Sequence, residues 1–254
     1  MILDSFSLAR RVALVTGASR GLGQGLALAL AEAGADVALL DRGGSPETAE
    51  RIRALGRRVV SLERDLRGAG VDELGAVVRS VVDELGRLDI LVNNAGIIRR
   101  QPALEYSEEN WDDVLDVNLR AVFFMSQAAA RVMSEAGGGK IINIASMLSF
   151  QGGITVPSYT ASKSAVAGIT RALANEWSRL RINVNAIAPG YMATENTAPL
   201  RTDEIRSASI LDRIPAGRWG TPDDLKGIAV FLASEASAYV HGAIIPVDGG
   251  WLTR

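Results

Sequence analysis

The stretch Val12-Ala13-Leu14-Val15-Thr16-Gly17-Ala18-Ser19-Arg20-Gly21-Leu22-Gly23 decides the fold. A short apolar run reads as a strand over Val12–Thr16, and the Ala- and Leu-rich segment Leu22–Ala33 reads as a helix. Between them lies a glycine-rich turn. Gly17 can make a tight turn without a Cβ penalty. Gly21 and Gly23 let the backbone approach a pyrophosphate, and the helix N-terminus offers free N–H groups and the positive end of its dipole. The spacing is Gly-x-x-x-Gly-x-Gly, not the standard Gly-x-Gly-x-x-Gly of dinucleotide-binding folds. A glycine turn without a ligand can share it, but the position after a first strand points to a dinucleotide.

The same alternation continues along the chain. Strands are expected at Asp36–Asp41, Arg58–Leu62, Asp89–Asn93, Lys140–Ala145, Ile182–Ile187 and Ala243–Val247. Helices are expected at Glu47–Leu55, Val71–Leu85, Glu108–Glu135 (one long run that can be broken), Pro157–Leu180 and Pro222–Leu232. Short strands buried on both faces and separated by helices make a parallel sheet. Right-handed crossovers then give a doubly wound, seven-stranded α/β domain of the Rossmann type. No linker divides the chain, so residues 1–254 are expected to form one domain. The segment 191–218 is the least regular. It follows the sixth strand, on the ligand-binding edge, and is a candidate substrate lid.

Composition narrows the chemistry. The chain has no cysteine and one histidine, His241, which removes thiolate sites and a His-rich metal centre. A formal net charge of −2 and a pI of about 5.6 do not suit a nucleic-acid binder. No apolar run approaches membrane-spanning length and no signal-like segment opens the chain, so a soluble, cytoplasmic protein is expected.

Asp41 ends the second strand, where an acidic residue accepts hydrogen bonds from the adenosine ribose and repels a 2′-phosphate. Arg20 and Arg42 pull toward that phosphate. The strand-end position of Asp41 favours NAD, with NADP the less favoured coenzyme.

Tyr159 and Lys163 lie one turn apart within a predicted helix, on one face. A free tyrosine titrates at about 10, too high for a base at neutral pH. An adjacent ammonium favours the phenolate, so the pair can exchange a proton with an alcohol or a carbonyl. Of 27 basic residues only Lys140, Lys163 and Lys226 are lysines. A lysine in so arginine-rich a chain suits a site where a compact ammonium must sit beside a phenol. Ser146 directly follows the fifth strand, at the ligand edge of the sheet, where its hydroxyl can stabilise a reacting oxygen.

These residues resemble the short-chain dehydrogenase/reductase family over nearly the whole chain. Thr16–Gly23 resembles its Thr-Gly-x-x-x-Gly-x-Gly loop, Asn93-Asn94-Ala95-Gly96 its motif after the fourth strand, and Tyr159-x-x-x-Lys163 its active-site signature. The resemblance implies a catalytic tetrad of Asn118, Ser146, Tyr159 and Lys163. Tyr159 is then the general acid or base, and Lys163 lowers its pKa and binds the nicotinamide ribose. Ser146 holds the reacting oxygen, and Asn118 supports a water relay. It also implies cofactor contacts from Thr16, Gly17, Ser19, Arg20, Gly21, Leu22, Gly23, Asp41, Asp65, Leu66, Asn93, Ala95, Gly96, Tyr159, Lys163, Pro189, Gly190 and Thr194. A homotetramer is implied as well, with the helices containing Asn118 and Tyr159 forming one interface.

A narrower resemblance concerns the small-molecule substrate. Gly96–Arg100, Met147–Gly153, Val156–Lys163, Ala188–Thr194 and Ile214–Gly220 are similar to a subgroup acting on deoxy keto sugar acids, of the 2-deoxy-D-gluconate or 2-dehydro-3-deoxy-D-gluconate type. Substrate contacts are then expected from Ser146 and Tyr159. A sugar-acid carboxylate needs a cation, and Arg100 and Arg218 are the candidates. Thr155 stands where some members have Arg, and Arg181 where the family often has Gly. Two alternatives share these motifs: an NADPH-dependent 3-oxoacyl-[acyl carrier protein] reductase, and a dinucleotide-binding sensor without turnover.

Overall fold

The computed structural model describes residues 1–254. Seven parallel strands form one sheet: β1 (Val12–Thr16), β2 (Asp36–Asp41), β3 (Val59–Glu63), β4 (Ile90–Asn93), β5 (Gly139–Ile144), β6 (Ile182–Pro189) and β7 (Ile244–Val247). Their order is β3-β2-β1-β4-β5-β6-β7. The expected seven-stranded, doubly wound sheet is therefore present, and the order reverses between β1 and β4. A crevice must open there, because the connections leaving the two strands diverge to opposite faces.

Burial explains why these runs are strands. Every residue of β1, β4 and β6 is buried, as apolar strands covered by helices on both faces must be. The edge strands β3 and β7 are only partly covered, and β7 carries Pro246, which an edge strand tolerates. On one face Leu26, Leu30 and Ala27 of α1 (Gly21–Glu32) pack with Leu225, Ala229 and Leu232 near and within α9 (Lys226–Ala233) against Val15, Leu39 and Ile142. On the other, Leu74 and Val81 of α3 (Val71–Leu85) pack with Met125 and Met133 of α5 (Ala121–Glu135) against Leu14, Leu91 and Ile141. The remaining long elements are α2 (Pro46–Ala54), α4 (Glu108–Leu115) and α6 (Pro157–Trp177).

Three local features differ from the sequence expectation or sharpen it. The run Glu108–Glu135 is interrupted by a π-helical turn at Asp116–Arg120, which carries Asn118. Such turns widen a helix by one residue and recur at functional sites. The segment after β6 is not irregular: it contains α7 (Ala198–Thr202) and α8 (Glu204–Arg213), and a bridge between Met192 and Gly220 ties its two ends together. Arg181, where the family often has Gly, adopts a left-handed conformation at φ 58°, the backbone that a glycine would take most easily.

Below the sheet, the single histidine is structural. His241 Nδ1 lies 3.0 Å from Ser178 Oγ and Nε2 3.1 Å from Asn183 Nδ2, while Lys140 Nζ donates to Asn183 Oδ1 at 2.9 Å. Burial lowers the pKa of Lys140. No helix is long and apolar enough to cross a membrane.

The glycine loop is held by contact distances that admit no side chain. A Cβ on Gly23 would lie 1.9 Å from the Gly17 carbonyl oxygen, and Gly17 itself has φ 65°. Gly23→Ala is therefore expected to lower the unfolding free energy by about 1–3 kcal/mol through overpacking. Urea denaturation checks this; wild-type stability would mean that the loop can shift to accept a methyl group.

Candidate active site

The C-terminal ends of β1 and β4 are braced before any ligand arrives. Thr16 Oγ1 accepts from the backbone N–H groups of Asn94 (3.0 Å) and Ala95 (2.9 Å). The Asn94 amide Nδ2 donates to the carbonyls of Thr16 (2.9 Å) and Gly17 (3.0 Å). These bonds fix the glycine loop against the loop leaving β4. Thr48 Oγ1, fully buried, donates to the Ala18 carbonyl at 2.9 Å and supports the loop from behind.

The cleft above this brace has a volume of about 420 Å³. Of the expected cofactor contacts, Gly17, Ser19, Arg20, Gly21, Leu22, Gly23, Asp41, Asp65, Leu66, Ala95, Gly96, Tyr159, Lys163 and Thr194 line it. Thr16 lies beneath, in the brace. Asn93 points into the core, donating to Ser126 Oγ (2.9 Å) and Asn143 Oδ1 (2.8 Å). Pro189 and Gly190 end β6, where Gly190 N donates to the Val247 carbonyl at 2.9 Å, and do not line the cleft. Arg42, weighed as a partner for a 2′-phosphate, also lines it, and Asn94, Arg64, Ile97, Val117 and Glu195 line it without having been singled out as contacts.

The cleft suits a dinucleotide. No side chain caps the N-terminus of α1, unlike α4 and α8, which Ser107 and Asp203 cap. Its free N–H groups face the glycine loop, as an anion site requires. Asp41 Oδ2 accepts from Ser19 N at 3.2 Å, and its Oδ1 has no protein donor. Four arginines line the cleft. Arg20 pairs with Glu195 (2.6 Å), Arg64 with Glu73 (2.8 Å) and Arg99 with Asp113 (3.0 Å); Arg42 has no ion-pair partner.

At the other end the four expected catalytic residues converge. Ser146 Oγ accepts from Leu148 N at 3.1 Å, and its hydroxyl is near enough to the Tyr159 phenol to favour the ionised form. Lys163 is buried and spends one proton on the Ile144 carbonyl at 2.6 Å. Its ammonium sits 5.6 Å from the centre of the Tyr159 ring. Burial pushes its pKa down to about 8. The Tyr159 phenol is pushed up from its ordinary value by burial, against the opposing pull of the Ser146 hydroxyl and the Arg100 guanidinium. The expectation of a lowered phenol is thus not met in the protein alone. Loss of water outweighs the favourable neighbours, and the lysine is turned toward a carbonyl.

Asn118 is fully buried in the π-turn. Its Oδ1 accepts from Ile97 N (2.8 Å), while Nδ2 donates to the Ile97 carbonyl (2.9 Å) and Ser162 Oγ (3.3 Å). Ser162 Oγ in turn donates to the Tyr159 carbonyl at 2.8 Å. Both polar ends of this amide are engaged, so the side chain ties the β4 loop to the catalytic helix.

The two candidate carboxylate ligands part company. Arg100 donates to the Asn196 carbonyl at 3.2 Å and is close enough to Tyr159 to act on its charge. Arg218 lies off the cleft and is bidentate on Asp224 (2.7 and 2.8 Å), holding that carboxyl well below the usual range. No group of three or more His, Cys, Asp or Glu side chains is placed to hold a metal ion.

Comparisons with known proteins agree with this geometry. A family model described as Enoyl-(Acyl carrier protein) reductase matches residues 17–252. The chain is 63% identical over 255 residues to 2-dehydro-3-deoxy-D-gluconate 5-dehydrogenase of Escherichia coli (strain K12), covering 100% of both. It is 62% identical, again over 100% of both chains, to the enzyme of that name from Dickeya dadantii (strain 3937). The crystal structure of a putative 2-deoxy-D-gluconate 3-dehydrogenase from Agrobacterium tumefaciens with bound NADP is similar with a TM-score of 0.92 and 55% identity, covering 99% of this chain and 100% of that one. With its tetrad, its glycine loop and its switch-point cleft in one frame, the chain belongs to the short-chain dehydrogenase/reductase family, whose members are nicotinamide-dependent oxidoreductases.

Proposed function

We propose that this protein is an NAD-dependent oxidoreductase acting on a secondary alcohol or ketone of a deoxy sugar acid, of the 2-dehydro-3-deoxy-D-gluconate or 2-deoxy-D-gluconate type. The observation that carries this reading is the position of Arg100. Its guanidinium does not line the cleft, but it is held on the Asn196 carbonyl and is near enough to Tyr159 to favour the phenolate, and a cation near the reacting group suits an anionic substrate. The names of the relatives point to the same substrate class.

The roles follow from the geometry. Tyr159, kept protonated by burial, is ready to donate to a carbonyl in reduction; in oxidation it must first lose that proton. Ser146 offers its O–H to the same oxygen. Lys163 has protons left beyond the Ile144 bond to hold a ribose and favour the phenolate. Asn118, whose amide is fixed on Ile97, is read as supporting a water relay that resupplies the proton. The nicotinamide, when bound, supplies or accepts the hydride. Asp41, with a free carboxylate oxygen at the adenosine end, favours NAD, and unpaired Arg42 leaves room for NADP use. We place segment 191–218 over the substrate as a lid. The working form is read as a cytoplasmic homotetramer, in which partly exposed Trp111 on α4 would be covered.

Rates with both coenzymes against a panel of sugar acids and acyl thioesters test the proposal. Turnover of 2-dehydro-3-deoxy-D-gluconate or 2-deoxy-D-gluconate with NAD or NADH is expected; activity confined to acyl thioesters with NADPH, or none at all, overturns it. Tyr159→Phe is expected to cut kcat at least about a hundredfold, within the range of general acid–base catalysis, while NADH affinity stays near wild type. Comparable turnover removes Tyr159 from the chemistry. Asp41→Ala should shift the ratio of kcat/KM values toward NADP, and an unchanged ratio means that Asp41 does not select.

Burial of Lys163 also makes a stability prediction. Its pKa falls from an ordinary 10.5 to about 8, so the folded state disfavours the ammonium. The cost is fully present below pH 8 and fades as the pH rises toward 10.5, where the unfolded lysine also loses its proton. Lys163→Met should therefore raise the melting temperature of the coenzyme-free protein at pH 7 while abolishing turnover, and the gain should shrink between pH 8 and 10.5. A variant that melts lower at pH 7 contradicts the predicted cost.

A further inference from the structure

A small hydrophobic cluster, separate from the core on either face of the sheet, includes the residue next to Ser146. Met147, next to Ser146, is buried with Ile210, Ile214 and Trp251, and Tyr191 and Trp219 pack against them. Trp251 is the centre of this group. Its Nε1 donates to Gln151 Oε1 at 3.2 Å, the Arg213 guanidinium lies 4.0 Å over its ring, and Tyr191 meets it edge-on at 4.7 Å. Gln151 belongs to the loop that leaves Ser146; Arg213 ends α8. One indole thus joins the catalytic-serine loop to the segment after β6.

The chain around Trp251 grips the same segment twice more. The Ala216 N–H donates to the Gly249 carbonyl at 2.9 Å. The Arg254 guanidinium donates to the Asp212 (2.7 Å) and Arg213 (3.3 Å) carbonyls, at the C-terminal end of α8, where a cation complements the dipole. The first half of the segment is held more lightly. Leu200 packs against the cluster, and Thr194 N and Thr197 Oγ1 donate to the Met192 carbonyl. From outside 191–219, however, residues 194–209 are hydrogen-bonded or ion-paired only through Arg20 to Glu195 and Arg100 to Asn196, and Ile205 is 86% exposed. None of Gln151, Arg213, Trp251 or Arg254 lines the dinucleotide cleft.

We propose that Trp251 is a positioning residue for the substrate: it clamps residues 210–219 to the loop carrying Ser146, so that the sugar-acid site is built against a fixed half while only 194–209 move. The substrate named here rests on the function proposed above; the clamp itself does not. Removing it would let the segment drift from Ser146, and a displacement of about 1 Å can cost as much as a hundredfold in an oriented reaction.

The test compares Trp251→Ala, Trp251→Phe and Arg254→Ala in the full chain. KM for 2-dehydro-3-deoxy-D-gluconate, the NADH dissociation constant and amide hydrogen exchange over residues 206–218 are measured. Trp251→Ala is expected to raise KM at least about tenfold, with NADH affinity within about twofold of wild type. Exchange should accelerate at Ile214, Ala216 and Gly217 but not in β1. Trp251→Phe keeps an aromatic ring in the cluster, loses the Gln151 bond and part of the packed area, and should recover most of the KM. Arg254→Ala removes only an exposed cap and should raise KM a few-fold, which keeps the test decisive if Trp251→Ala does not fold. Wild-type KM and exchange in the alanine variants overturn the proposal, as does a loss of NADH affinity in step with KM. If the wild type turns over no sugar acid, the substrate reading fails and the exchange pattern alone supports or overturns the clamp.

Discussion

The frame of this enzyme depends on one cross-brace, the Asn94 amide donating to the Thr16 and Gly17 carbonyls while Thr16 Oγ1 accepts from Asn94 and Ala95. It sits where the sheet order reverses, at the only place where β1 and β4 are neighbours and their loops part. From it a chain of bonds runs outward. Gly96 and Ile97 follow Ala95, Ile97 is gripped by Asn118, Asn118 touches Ser162, and Ser162 reaches the Tyr159 carbonyl. The glycine loop and the catalytic helix are therefore positioned by the same few polar groups, which are buried or half-buried and mutually satisfied. Buried groups of this kind are costly to leave unpaired, which makes the arrangement rigid.

Against that rigid frame, the site stores unfavourable electrostatics. Burial lowers the pKa of Lys163 to about 8, which costs stability at neutral pH, whereas the Tyr159 phenol, raised by burial, is neutral there in folded and unfolded chains alike and costs none. Elsewhere in the cleft the charges are balanced: of its four arginines, three are paired with Glu195, Glu73 and Asp113, and Arg42 is not.

Much of this was legible in the sequence. Buried parallel strands announce themselves as unbroken apolar runs, and the Tyr–Lys pair needs only helical spacing to share a face. What the sequence left open depends on which way neighbouring side chains point and on what competes for them. Asn93 and Asn94 are adjacent, so only one can face the crevice; strand alternation sends Asn93 to Ser126 and Asn143 in the core. The π-turn carries Asn118, whose amide is bonded to the Ile97 backbone, a contact between distant segments that helical periodicity cannot report. Arg218 looked free, yet Thr221 and Asp224 form a capping pattern on the next short helix, and the fixed carboxylate takes the arginine. That signal was present and concerns a neighbour rather than the arginine itself.

The brace is tested most directly by the NADH dissociation constant of Asn94→Leu. This near-isosteric change strands the Thr16 and Gly17 carbonyls without donors. Leaving such groups unpaired costs about 1–3 kcal/mol, so NADH should bind roughly tenfold or more weakly while the sheet remains folded. Binding within about twofold of wild type would contradict the view that this amide holds the cleft together.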